Sequence, residues 1–328
     1  MSIALRVLVS AALLALVAFQ VDWRGVWAAT ARAQWDGLVW AFIAFNASVV
    51  FASKRWQLIV HADGDAQTRI GTKSAITATY ISQWLSNFLP TAFGGDVARV
   101  VMARRAGAAL PHAIASAVLD RFVGIMTLAL IFLVVEGALA AAGGQRLLLP
   151  VAALLGSGFL VLFLVFWAGA HISLRRRWLR SRVVRFVARA TRVLRMLRVT
   201  PAVITPILLA SVMATMLGVL AYWGAIRCVS SGVGFPIALA AAVLGTIASA
   251  TPVSLSGWGV REGTVAFVLT QSGAMPASDA SLVAILNGIV IATTSLVGLA
   301  VLLSVRWQWR TTAGDGDATT AVRIPGKI

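Results

Sequence analysis

Pro90-Thr91-Ala92-Phe93-Gly94-Gly95-Asp96-Val97-Ala98-Arg99 interrupts one long apolar stretch, and Pro252-Val253-Ser254-Leu255-Ser256-Gly257-Trp258-Gly259-Val260-Arg261-Glu262 interrupts another. Each break combines proline and glycine with charge. A bilayer interior has no water to satisfy unpaired backbone N–H and C=O groups. A broken helix at that depth therefore has to be buried in protein or line a polar cavity. Broken segments at corresponding places in two halves of a chain point to a transport site between them.

The surrounding sequence fits that setting. The chain has 328 residues, 59% hydrophobic and 12% charged, with a mean hydropathy of +0.89; soluble domains carry about 25% charged residues. Apolar runs near the ~20 residues that cross a bilayer recur along its length. The expected fold class is an all-α polytopic membrane protein. Full spans are expected at Ala4–Val21, Leu38–Ala52, His112–Ala142, Leu147–Ala170, Ala202–Ile226 and Ser281–Val305. The first reads as a retained helix rather than a signal peptide, because it lacks a small-x-small cleavage site and further spans follow.

Ser74–Pro90 and Pro236–Gln271 hold the breaks. Basic residues set the orientation of spans. Lys54, Arg55, Arg69 and Lys73 precede the first broken segment, and Arg99, Arg104 and Arg105 follow its break. That segment is expected to enter and leave from the cytoplasmic face. The connectors flanking Pro236–Gln271 are poor in Lys and Arg, so it is expected to enter from outside; the alternative is two short full crossings. Two oppositely inserted hairpins describe an inverted repeat, and Leu119-Asp120 is echoed by Leu286-Asn287. The expected organisation is one membrane domain over 1–310: a first half over 38–170, a connector over 171–200 and a second half over 202–305. A disordered tail over 311–328 follows. The charge pattern suits a bacterial-type inner membrane with both termini cytoplasmic.

The net charge of +17 is concentrated in one place: ten arginines and no acid fall between Arg175 and Arg198. Arg182, Arg185, Arg189 and Arg192 form a helical stripe, with Leu179, Val183, Phe186, Val187, Val193, Leu194 and Leu197 between them. This describes an amphipathic helix against anionic headgroups, or a basic connector that only sets topology. Nucleic acid is not an expected partner. Cys228 is the only cysteine, and His61, His112 and His171 show no ligand spacing, so no metal or other cofactor is implied.

Ionisable residues within spans are costly, about 2.5–3.5 kcal/mol each on insertion scales, and so face a cavity or a partner. Asp96 with Arg99, Asp120 with Arg121, and Arg261 with Glu262 each offer one cation and one acid. In the binding reading, Arg99, Arg121 and Arg261 receive phosphate oxygens, since guanidinium is planar and permanently charged. Gly94, Gly95, Gly257 and Gly259 bring backbone N–H groups near the same anion. Asp96, Asp120 and Glu262 orient the arginines or carry protons. In the structural reading, each pair is an internal salt bridge that locks a broken helix. Asn87 reads as a cap or helix–helix contact.

Taken together, Ser86-Asn87-Phe88-Leu89-Pro90 running into Gly94-Gly95-Asp96-x-x-Arg99, then Ala115-Ser116-x-x-x-Asp120-Arg121, then Thr251-Pro252-x-Ser254-x-Ser256-Gly257-x-Gly259-x-Arg261-Glu262, resemble the flippase-like family. That family includes the transmembrane region of lysylphosphatidylglycerol synthases. Its members often carry Glu where this chain has Asp96 and Asp120. The resemblance implies movement of a lipid with an anionic headgroup: an aminoacylated phospholipid, a polyprenyl-linked glycan or a hopanoid-type lipid. It extends to the membrane region alone, and the soluble aminoacyl-transferase domain of the full-length synthases has no counterpart, so no enzyme activity is expected. One alternative is a lipid-phosphate phosphatase or transferase using Ser254, Ser256, Arg261 and Glu262. Against it, no histidine neighbours either serine. A third reading is a non-transporting partner of a lipid or glycan synthase.

Overall fold

The computed structural model describes residues 22–62, 68–88, 94–141, 200–250 and 257–314. Pro90, Pro252, the spans Ala4–Val21 and Leu147–Ala170, the basic stretch Arg175–Arg198 and the tail beyond Gly314 lie outside them. Regular structure among the described residues is helical: α1 Trp23–Arg32, α2 Asp36–His61, α3 Thr72–Phe88, α4 Asp96–Arg105, α5 Leu110–Ala141, α6 Pro201–Val229, α7 Phe235–Ala250, α8 Val260–Gln271 and α9 Ala277–Gly314.

Four of these are long and apolar enough to cross a bilayer: Asp36–His61, Leu110–Leu139, Pro201–Val229 and Ala277–Ser304. They correspond to four of the six expected spans. Two boundaries differ most from expectation. The helix expected to stop at Ala52 continues to His61, because Trp56, Ile59 and Val60 keep its apolar period going and are buried. Arg55 is consequently inside a span, not in a topology-setting loop. The last helix runs to Gly314, into the start of the expected tail, since no breaker interrupts it before that glycine.

The helical arms described on either side of each break lie antiparallel. In the first, Gly95 lies against Ser82 and Ser86 of α3, while Ala103 of α4 clusters with Ala75 and Ala78 nearer the start of α3. A Cβ at Gly95 would overlap the Ser82 carbonyl oxygen and the Ser86 hydroxyl, which explains the glycine. In the second, Gly257 has φ +80° and an added Cβ would stand 2.6 Å from Ser249 Cβ; further along, Gly245 faces Val265. Glycine is required there twice over, by the left-handed backbone and by the close approach.

The helices form two units with the same plan: a long helix, a broken hairpin and a second long helix. The first is α2-α3-α4-α5, the second α6-α7-α8-α9. Within each unit the same neighbours pack together. Between units α3 packs on α9 just as α7 packs on α5, and α2 meets α9 as α6 meets α5. The leading helices α2 and α6 cross antiparallel and in backbone contact, Gly37 lying against Gly224 and Cys228, and Gly224 against Ala41. Small residues at such a crossing let dispersion act between backbones, where lipid supplies no hydrophobic drive. The largest apolar core belongs to the second unit. There α7 is enclosed on nearly every face, with Ala238, Leu239, Ala240, Ala241 and Val243 fully buried, and Leu128 and Phe132 of α5 complete the cluster.

Candidate functional site

In the first unit the charges named from sequence converge, but with exchanged partners. Arg99 on α4 donates from Nη1 to Asp120 Oδ2 on α5 at 2.7 Å, and Arg121 Nε lies 2.7 Å from Asp96 Oδ2 at the start of α4. The pairs expected within Asp96/Arg99 and Asp120/Arg121 therefore give way to two ion pairs that cross between helices. The reason is geometric: α4 and α5 turn facing sides to each other, and neighbouring residues on one helix point apart.

A third arginine completes the cluster. Arg55, from α2, donates from Nε to Asp120 Oδ1 at 2.6 Å. Asp120 is 1% exposed, Arg55 7% and Arg99 9%, so both oxygens of a fully buried carboxylate accept from buried guanidiniums. Gly124, one turn beyond Asp120, leaves room for this: an added Cβ would stand 3.0 Å from Arg55 Nη1. Arg99 also lies over Trp56, 5.8 Å from the ring centroid. Among the described residues three guanidiniums face two carboxylates, one positive charge in excess. Among the described residues two buried donors close by, Arg99 Nε and Trp56 Nε1, have no acceptor, and Asp96 Oδ1 has no donor. A buried donor without an acceptor costs about 1–3 kcal/mol unless a ligand or water supplies one.

The second unit holds a smaller cluster. Arg261 donates to Glu262 Oε1 from Nη2 at 2.5 Å and from Nε at 3.0 Å, and lies over Trp258 at 5.2 Å. Glu262 Oε2 accepts from the Gly259 N–H at 2.7 Å, so the N3 side chain caps the first turn of α8. That N–H, expected to face a bound anion, thus serves the protein's own acid. Gly259 takes φ +81° to make the turn. Tyr222 of α6 stands beside Arg261, Glu262, Asn287 and Thr246, and Glu262 packs on Gly288 of α9. Asn287 Oδ1 is buried without a donor.

A hydrogen bond ties the two hairpins together. Trp258, just after the second break, donates from Nε1 to the carbonyl of Asn87, just before the first, at 3.1 Å. Asn87 in turn donates to Ser295 of α9 at 2.5 Å, the helix–helix contact expected of it. Nearby, Tyr80 donates to Asn46 and Asn46 to Thr294, at 2.9 and 3.1 Å, so α2, α3 and α9 share one polar seam.

Asp96, Arg99, Asp120 and Arg121 thus form one cluster, Arg261 and Glu262 a second. Sequence reasoning missed Arg55, Trp56, Tyr222 and the bond made by Trp258. Continuing the helical period of α2 past Ala52 was the signal available for Arg55.

A multi-pass helical membrane fold, with paired broken hairpins and buried arginine–carboxylate clusters beside them, is the class these features define. Residues 3–309 match the lysylphosphatidylglycerol synthase TM region, and the chain belongs to that family. Among curated proteins none is significantly similar to it.

Proposed function

We propose that this protein translocates a lipid with an anionic headgroup, the phosphate-bearing group being received at the first-unit cluster while the tails stay in the bilayer. The observation that carries the reading is the unbalanced positive charge around Asp120, with Arg99 Nε and Trp56 Nε1 buried and lacking acceptors. An oxygen-rich anion supplies both the missing acceptors and the missing charge. Membership of a family named for lysylphosphatidylglycerol synthases supports a lipid as the bearer of that anion.

In this reading the two broken hairpins re-enter the membrane from opposite faces, and the units form an inverted repeat; the antiparallel crossing of α2 and α6 supports that arrangement. Both termini face the cytoplasm of a bacterial-type inner membrane. The protein acts as a carrier rather than an enzyme, and Arg175–Arg198 is the segment that engages an anionic lipid surface.

The test is lipid translocation in proteoliposomes, using short-chain fluorescent phospholipids and a polyprenyl-phosphate analogue. Wild type is expected to move one lipid class, and Arg121→Ala and Arg261→Ala to lose that movement. Arg121 is the informative position, because its pair with Asp96 is the most exposed of the cluster and contributes about 1 kcal/mol or less to stability. Movement insensitive to both changes, or no movement by folded protein, overturns the reading.

A further inference from the structure

A cleft of about 550 Å³ among the described residues lies in neither hairpin. It runs along the outer side of the α2–α6 crossing. Its origin is the close contact of Gly37 with Gly224: where two backbones touch, the bulkier residues on either side stand up as walls. Trp40 and Trp223 wall one end, and Ala44, Ala47 and Leu217 line the other.

The two ends differ in chemistry. Asp36, Gln34 and Arg227 cluster at the mouth, and below them the lining is apolar. Arg227 is exposed on the last turn of α6. It donates to the Ser231 carbonyl at 3.1 Å and lies over Trp223 at 5.6 Å, and no carboxylate pairs with it among the described residues. The mouth also lies at a definable depth. Trp23, Trp27, Trp35 and Trp40 are all exposed around α1 and the start of α2. Indole rings in such a belt mark the headgroup level. From Asp36 to Ala47 the cleft follows α2 for eleven residues, about 16 Å at ~1.5 Å per residue, close to half of a ~30 Å hydrocarbon core. It is therefore one leaflet deep.

We propose that this cleft holds one phospholipid of that leaflet whose headgroup joins a phosphate to an amine. The phosphate sits on Arg227, the amine on Asp36, and one acyl chain lies along Ala44, Ala47 and Leu217. A guanidinium above an aromatic face, with no carboxylate paired to it among the described residues, suits a phosphate. The nearby carboxylate disfavours a purely anionic headgroup and favours an ammonium. The site is separate from the hairpin clusters and does not depend on the translocation reading.

Native mass spectrometry of the purified full chain, titrated with phosphatidylethanolamine and phosphatidylglycerol of matched chains, tests it. Wild type is expected to retain one phosphatidylethanolamine, held at least fivefold more tightly than phosphatidylglycerol. Ala44→Trp fills the floor and is expected to lose that lipid. Arg227→Gln, at an exposed position where folding is not at stake, is expected to weaken it about tenfold, and Asp36→Asn to erase the headgroup preference. Equal retention of the two lipids by wild type overturns the proposal. So does unchanged retention in Arg227→Gln or in folded Ala44→Trp.

Discussion

The two units share a packing plan and answer it with different forces. Asp120 lies ten residues past Leu110 at the start of α5, and Asn287 ten residues past Ala277 at the start of α9. Arg121 and Gly288 follow them in turn. In the first unit Asp120 draws in Arg55 and Arg99, and Arg121 reaches back to Asp96, so ion pairs bind the short arm α4 to its neighbours. In the second, asparagine and glycine stand at those positions, Tyr222 stands beside Asn287 as Arg55 stands beside Asp120, and the acid has moved onto α8 as Glu262. There the ion pair is internal to α8, which is held instead by Val265, Val268 and Leu269 in the apolar core. The lesson is that a repeated architecture conserves the position of a polar contact more than its charge. Among the described residues only the first cluster carries excess positive charge, and the proposed anion site rests on that asymmetry.

Removing the acid on which the first cluster turns is the strongest way to break the comparison. Asp120→Asn gives α5 the residue that α9 carries, but leaves Arg55 and Arg99 buried and facing each other. Loss of one partner from a buried ion pair costs about 3–5 kcal/mol, so folded yield and the thermal unfolding midpoint in detergent are expected to fall sharply. Asp120→Glu, which keeps both pairs, is expected to hold most of the stability. An Asp120→Asn protein as stable as wild type would mean that charge is incidental to the first unit.

The reciprocal exchange sharpens the same point with a smaller effect. Glu262→Gln removes the acid that Arg261 uses and weakens the α8 cap, and is expected to lower the unfolding midpoint. Adding Asn287→Asp returns an acid to the equivalent of Asp120. If the two positions are interchangeable sources of charge, the double variant recovers part of the loss, a coupling of about 0.5–3 kcal/mol. Strict additivity in this double-mutant cycle would sink the correspondence between Asp120 and Asn287.

These pairings also show where sequence reading stops. The two breaks, four of the spans and the six charged positions were legible because a bilayer makes proline–glycine interruptions and in-span charges conspicuous. Partners were not legible. Asp96 and Arg99 stand three apart and suggested a local pair, yet which helix faces meet is decided by tertiary packing. Arg55 was read as a topology signal because a cation near an apolar segment normally marks its end. Here its charge is compensated by Asp120, and such compensation leaves no local trace in a chain where the two residues are 65 positions apart.

One contact between units, the Trp258–Asn87 bond, is weaker than either cluster, and Trp258→Phe isolates it. Phenylalanine keeps an aromatic face beneath Arg261 and deletes only the N–H donated to the Asn87 carbonyl. A net loss of about 0.5–1.5 kcal/mol is expected, small beside the ion-pair variants. Its distribution matters more than its size. That carbonyl sits at the end of α3, where helical partners run out, so losing the donor loosens the first hairpin as well as the second. Hydrogen exchange is expected to rise both near the end of α3 and at the start of α8. A rise confined to the second hairpin would mean that Ser295, which holds the Asn87 side chain, already fixes the first break. The two units would then be joined by the Asn87–Ser295 and Asn46–Thr294 bonds and by their apolar interface.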